Sequence, residues 1–269
     1  MTTNTLERLE GRIAAYGFDR AVVAFSGGVD SAVVTAVAAR AIGSERVTAV
    51  TAVSPSYPDG ELMSARQTAA ALSVVHWVVE TREVEREAYA RNDATRCYHC
   101  KAELFGVLRR ITEEAGGSVV LAGANADDRL DVRPGLLAAE QQGVRNPLLE
   151  EGVGKAEVRA IAAQLGLAVA DKPALACLSS RVAFGVRITP DLLARIDRAE
   201  QAVRSLGFST VRVRHFGPRA TIEVGTDEIW RLVRHPGFPA LAEALRALGW
   251  TEVEVDLIGY RQGRMNVLT

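Results

Sequence analysis

Short apolar runs alternate with amphipathic stretches through most of the chain. Residues 6–16 carry Leu6, Leu9, Ile13 and Ala14 at helical spacing, the stripe of an amphipathic helix. Ala21-Val-Val-Ala-Phe25 is an unbroken apolar run of small and β-branched residues, which reads as a strand buried on both faces. It breaks at Ser26-Gly-Gly28 and resumes from Ser31 as an apolar stretch that reads as a buried helix. Further strands are expected at 47–53, 74–80 and 118–123, and helices at 61–72 and 155–165. A short strand candidate lies at 167–170. Strands alternating with helices predict an α/β fold with a parallel sheet and helices on both faces. Ligands of such sheets lie beyond the carboxyl ends of the strands, so the loops after Phe25, Val53 and Ala122 are expected to converge on one site.

The pattern changes near residue 186. A helix is expected over 190–206, with Thr189 as its N-cap and Pro190 at its first position. Runs at 210–216, 220–224 and 252–258 alternate with period 2 and read as strands with one wet face, and 238–248 reads as a helix. The division expected is a larger domain over 1–185 and a small α+β domain over 186–269, of a size that can hold its own core.

Composition narrows the function classes. The chain has 269 residues, 48% hydrophobic and 24% charged, with a formal net charge of -1. These are the values of an ordinary soluble globular protein, with no strong pull towards nucleic acid or anionic membranes. The polar, acid-bearing first residues match no signal or transit peptide, and no apolar stretch is long enough to span a bilayer, so a cytoplasmic location is expected. Three cysteines, an odd number, argue against a disulfide framework and towards chemistry or metal.

The break between the first strand and helix reads Ser26-Gly-Gly-Val-Asp-Ser31. A strand, a glycine turn and a helix start bring backbone N–H groups and the positive end of the helix onto an anion. No Lys follows the glycines, so this is not a Walker loop. The string resembles the PP-loop of ATP pyrophosphatases, which split ATP into AMP and pyrophosphate. On that reading Gly27 and Gly28 open the backbone to phosphate, Ser26 and Ser31 offer hydroxyls, and Asp30 helps hold Mg²⁺. The bland alternative is a glycine turn that only lets strand and helix pack.

A second segment, from Gly123 to Gly135, starts at an expected strand end and concentrates Asp127, Asp128, Arg129, Asp131 and Arg133. It is either a solvated charged loop or part of the same site. Cys97 and Cys100 stand at C-x-x-C spacing, and Cys177 is remote in sequence. A redox pair, a zinc site completed by His99, a 4Fe–4S cluster on three thiolates and three unrelated thiols all remain open for them.

Taken together, Ser26-Gly-Gly-Val-Asp-Ser31, Arg96-Cys-Tyr-His-Cys-Lys101, Asp131-Val-Arg-Pro-Gly135, the stretch from Asp171 to Ser179-Ser-Arg181 and Thr210-Val-Arg-Val-Arg214 resemble the LarE family. These are ATP-dependent sulfur transferases of the PP-loop superfamily that build the nickel-pincer cofactor of lactate racemase. The resemblance implies adenylation of a carboxylate of pyridinium-3,5-biscarboxylic acid mononucleotide, loss of pyrophosphate, and displacement of AMP by sulfur to give a thiocarboxylate. It assigns ATP to Ser26, Gly27, Gly28, Asp30, Ser31 and Gly123, and the substrate to Arg133, Arg181, Arg212 and Arg214. It ties Glu200 and Glu223 to metal sites between subunits of a homo-oligomer. Some family members sacrifice the sulfur of one cysteine. Others have three cysteines and carry a 4Fe–4S cluster, and Cys97, Cys100 and Cys177 resemble that kind. Cys177 as a sacrificial donor is the alternative. A PP-loop tRNA thiolase is the rival enzyme, against which the net charge and the lack of a basic stripe count.

Overall fold

The computed structural model describes residues 2–114, 118–130, 134–173 and 176–261. The elements in chain order are α1 (Thr2–Ala14), β1 (Ala21–Ala24), α2 (Val29–Ile42), β2 (Val47–Val53), α3 (Glu61–Ala71), β3 (Val75–Glu80), α4 (Glu87–Ala90) and α5 (Arg96–Glu114). There follow β4 (Val119–Leu121), α6 (Pro134–Gln141), α7 (Pro147–Glu150), α8 (Lys155–Gln164), α9 (Pro190–Arg204), β5 (Val211–Phe216), β6 (Arg219–Val224), α10 (Ile229–Val233), α11 (Phe238–Ala247) and β7 (Glu252–Val255). They fall into two compact units. The larger comprises 1–54, 59–83 and 95–175, and the smaller 55–58, 84–94 and 176–269. No helix among the described residues is long and apolar enough to cross a membrane.

The larger unit is built on a parallel four-stranded sheet of order β3-β2-β1-β4. β1 is central because both of its faces are apolar. Ala21, Val23 and Phe25 pack against Leu6, Leu9 and Ile13 of α1, the apolar body of α2, and Val158 and Ile161 of α8. Val22 faces the other way, with Val50 and Val120, onto Phe105 and Leu108 of α5 and Ala138 and Ala139 of α6. The period of 2 along the strand thus feeds two helical layers. α2 is buried on nearly every side through its first nine residues, as a helix without a polar face must be. β3 is the edge strand and leaves Val75, Trp77 and Val78 exposed.

The strand expected at 167–170 does not form. Gly166, at φ +66°, ends α8 in a left-handed cap. The Leu167 N–H then turns back to the Ala162 carbonyl, and the Arg159 guanidinium takes the carbonyls of Ala170 and Lys172. These backbone groups are spent locally, and Val169 is buried from a turn.

In the smaller unit β5 and β6 pair antiparallel and β7 lies parallel to β6, in the order β5-β6-β7. Thr189 caps α9, its hydroxyl accepting from the Leu192 N–H at 3.2 Å. The expectation of one wet face fails for β5 and β6, where Arg212, Arg214, Thr221 and Glu223 are all buried. The physical reason is pairing: charges leave water where opposite charges meet them.

Candidate functional site

In the larger unit the site forms at the carboxyl end of β1. Thr51 of β2 donates its hydroxyl to the Phe25 carbonyl at 2.8 Å. That hydroxyl has one proton, so His76 Nε2, also 2.8 Å away, donates to Thr51. Burial, and then the charge of Arg66, lowers the His76 pKa and keeps the ring neutral. The chain then turns at Gly27, whose φ is +77°. A Cβ at Gly27 would stand 2.9 Å from the Ala65 Cβ, so the turn lies directly on α3.

Ser26 and Ser31 close the loop on itself. Ser31 Oγ donates to the Gly28 carbonyl at 3.0 Å and accepts from the Ser26 N–H at 3.2 Å, while the two hydroxyls stand 3.2 Å apart. Gly28 is the N-cap of α2 and offers no side-chain cap, which leaves the first turn of α2 open to an anion. The loop after β4 arrives at the same place. A Cβ at Gly123 would lie 2.9 Å from the Ser31 nitrogen, so only glycine lets that loop pass. Asn125 Nδ2 donates to Asp30 Oδ1 at 3.0 Å, and Lys155 Nζ donates to Asp30 Oδ2 at 2.5 Å. Asp127 accepts from the Lys155 backbone N–H at 2.9 Å and so caps α8.

Ser26, Gly27, Gly28, Asp30, Ser31 and Gly123 are therefore gathered at one sheet end, as the topology predicts. Asn125, Lys155 and Lys172 join them without having been anticipated. Lys155 carries a sequence signal all the same: a cation at the first position of a helix opposes the helix dipole and needs a partner elsewhere. Arg133 lies outside the described residues.

Cys97 and Cys100 stand in the first turn of α5, Cys97 exposed and Cys100 half-buried, and neither is in a disulfide. Three positions apart on a helix, they share a face. The His99 ring packs edge-on against Tyr98. Among the described residues no group of three or more His, Cys, Asp or Glu stands close enough to hold a metal ion.

The smaller unit holds the remaining residues singled out from the sequence. Cys177, a free and half-buried thiol, precedes a short 3-10 turn over Leu178–Arg181. Arg181 is 1% exposed and donates to both carboxylate oxygens of Glu200, at 2.8 and 3.1 Å. Its remaining nitrogen donates to the carbonyls of Ala176 and Cys177. Arg214 donates twice to Glu223 Oε2 and once to the Ser180 carbonyl. Arg212 lies over the Tyr260 ring, 5.0 Å from its centre. Glu200 also accepts from Arg204 and from the Val213 N–H. Burial alone would raise the Glu200 carboxyl, but Arg181, Arg212 and Arg204 together hold it below its ordinary range. Burial, and then the charge of Arg181, pulls the Arg212 guanidinium down. Glu200 and Glu223, expected as metal ligands, thus have their carboxylates on guanidinium groups.

The family model for NAD synthase matches residues 1–103. An uncharacterised protein of Synechocystis sp. is 42% identical over 93% of this chain and 94% of its own. The pyridinium-3,5-bisthiocarboxylic acid mononucleotide synthase of Lactiplantibacillus plantarum is 36% identical over 92% of this chain and 89% of its own. The tRNA-specific 2-thiouridylase MnmA of Azorhizobium caulinodans is 33% identical over 57% of this chain and 49% of its own length.

Proposed function

Because the chain belongs to the LarE family of the PP-loop superfamily, and is thereby an ATP-dependent sulfurtransferase, we propose that it acts in nickel-pincer cofactor biosynthesis on pyridinium-3,5-biscarboxylic acid mononucleotide. The observation that carries this reading is the likeness to the Lactiplantibacillus synthase over nearly the whole of both chains.

The chemistry runs in two displacements. A substrate carboxylate oxygen attacks the α-phosphorus of ATP and pyrophosphate leaves. A sulfur nucleophile then attacks the carbonyl carbon of the acyl adenylate, and AMP departs with the former carboxylate oxygen. Adenylation is needed because a free carboxylate is a poor electrophile. In the first step the PP-loop binds the leaving pyrophosphate through the N–H groups of Gly27 and Gly28, the hydroxyls of Ser26 and Ser31, and the start of α2. Asp30 would hold Mg²⁺, and Lys155, which lies on the Asp30 carboxylate, adds positive charge at this end of the loop. The buried Arg181, Arg212 and Arg214, with the half-exposed Arg204 at their edge, carry four positive charges against the two of Glu200 and Glu223. That surplus suits the substrate phosphate, and Arg181 and Arg214 tie the cluster to the backbone on either side of Leu178 and Ser179.

Cys97, Cys100 and Cys177 are the ligands assigned to a 4Fe–4S cluster. Two of the three, Cys97 and Cys100, share one face at the start of α5 and neither is in a disulfide. A cluster held by these three thiolates would supply sulfide for the second displacement. Cys177 as a sacrificial donor is the alternative within the same reaction.

The test is pyrophosphate release by the full chain with Mg-ATP. Release that depends on pyridinium-3,5-biscarboxylic acid mononucleotide is expected. The likeness to MnmA favours one second reading, and release that depends on tRNA instead would replace the first with it.

A further inference from the structure

Lys172 follows the turn at 167–171 and reaches back across the larger unit. Its Nζ donates to Glu61 Oε2 at 2.6 Å and to Ser64 Oγ at 2.9 Å, both at the start of α3. The same nitrogen stands 3.5 Å from the Gly27 carbonyl oxygen, a contact at the outer edge of a hydrogen bond. Gly27 rests on Ala65 of the same helix with no side chain between them. One ammonium group therefore pins the PP-loop turn and the helix beneath it.

We propose that Lys172 is a positioning residue for ATP: it fixes the orientation of the Gly27–Gly28 peptide so that the Gly28 N–H faces the phosphates. The inference rests on the reading of the PP-loop as the ATP site. A trans peptide is planar, so its carbonyl and N–H point in opposite directions. A carbonyl drawn to Lys172 sends the Gly28 N–H the other way. In the structure that N–H donates to Ser26 Oγ at 3.3 Å, a long bond readily exchanged for a phosphate oxygen. Two consecutive glycines have little preference of their own about which way the peptide plane turns. The attraction of the ammonium group for the carbonyl supplies that preference. Lys172 itself is taken up by Glu61 and Ser64, so it acts through the peptide and not on the nucleotide.

The experiment is calorimetric titration of the full chain with Mg²⁺ and either ATP or AMP, in wild type, Lys172→Met and Glu61→Gln. AMP lacks the phosphates that the PP-loop holds, so the ratio of the two affinities reports the loop alone. Lys172→Met is expected to lose about tenfold in ATP affinity, the scale of one hydrogen bond to a charged group, with AMP affinity unchanged. Glu61→Gln leaves the ammonium group beside Gly27 and is expected to keep the wild-type ratio. An unchanged ratio in Lys172→Met, or equal losses in the two variants, would overturn the inference and reduce Lys172 to a structural ion pair. A wild type that binds ATP no better than AMP would sink the reading of the site itself. If Lys172→Met does not fold, Lys172→Gln, which keeps a hydrogen bond but no charge, is read by the same ratio.

Discussion

Lys155 places its ammonium group on Asp30, joining the first residue of α8 to the first turn of α2 across 125 positions of sequence. Asn125 takes the other oxygen of the same carboxylate. Asp30 is thus held from two sides with its orientation set.

Asp30→Ala is expected to weaken Mg-ATP binding by at least about tenfold, because both the metal ligand and the partner of Lys155 are lost. Lys155→Met should weaken it as well. Since the two residues act as one unit, the double variant should be little worse than Asp30→Ala alone. Calorimetric titration with Mg-ATP reads all three. Unchanged affinity in Asp30→Ala would count against the PP-loop assignment.

Glu200 offers a sharper test of the smaller unit. It is fully buried, and its carboxylate answers Arg181, Arg204 and the Val213 N–H. Glu200→Leu strands the buried Arg181 without its counter-charge and should cost about 3–5 kcal/mol of stability. Arg181→Met together with Glu200→Leu should recover much of that loss, since an apolar pair leaves no charge unpaired. Urea unfolding measures both. A single variant as stable as wild type would mean that the pair contributes nothing.

These two sites also show what can be read from the chain before it is folded. The strand, glycine turn and helix from Ala21 to Ile42 are local, and their apolar pattern and glycines suffice to find them. Thr189 as the cap of α9 is local in the same way. The buried faces of β5 and β6 are not. Arg214 and Glu223 look like surface residues until β6 pairs with β5 and sets them nine positions apart in sequence but side by side. The turn at 167–170 misleads for a related reason, since its strand-like composition is overruled by carbonyls that Arg159 takes from a neighbouring helix. Gly123 was legible as a strand end, whereas Asn125, two residues on, gains its meaning only from Asp30.

His215 makes a pH dependence expected in the smaller unit. Its Nδ1 accepts from the buried Trp250 Nε1–H at 2.9 Å, and the Arg195 guanidinium lies over the Trp250 ring. Burial, with the charge of Arg195 adding to it, pushes the His215 pKa down from 6.5 to about 4. The folded chain therefore holds the neutral ring where the unfolded chain would protonate it. The stability this contributes is complete above about pH 6.5, the unfolded value, and is lost as pH falls towards about 4, by on the order of 3 kcal/mol at most. His215→Gln keeps an acceptor for Trp250 and does not titrate. The gap in stability between wild type and this variant should shrink or reverse across that window in denaturation curves. A gap that does not change with pH would remove His215 as its source.

The three thiols divide the ways sulfur can be delivered, and iron tells them apart. Cys97 and Cys100 share one face at the start of α5, and none of the three cysteines is in a disulfide. If they hold a cluster, chain purified without oxygen should be brown and contain iron and acid-labile sulfide. Cys97→Ala, which removes one of three ligands, should lose all of these while still binding ATP at a loop it does not touch. If instead the preparation is colourless and free of iron, the weight shifts to sulfur from the chain itself. Cys177 is then the donor, and after one turnover mass spectrometry should find the chain lighter by one hydrogen sulfide, the change from cysteine to dehydroalanine. Cys177→Ala should abolish sulfur transfer on either route and leave ATP affinity at the wild-type value. Transfer that survives in Cys177→Ala would exclude Cys177 from both and force a source of sulfur outside the three cysteines.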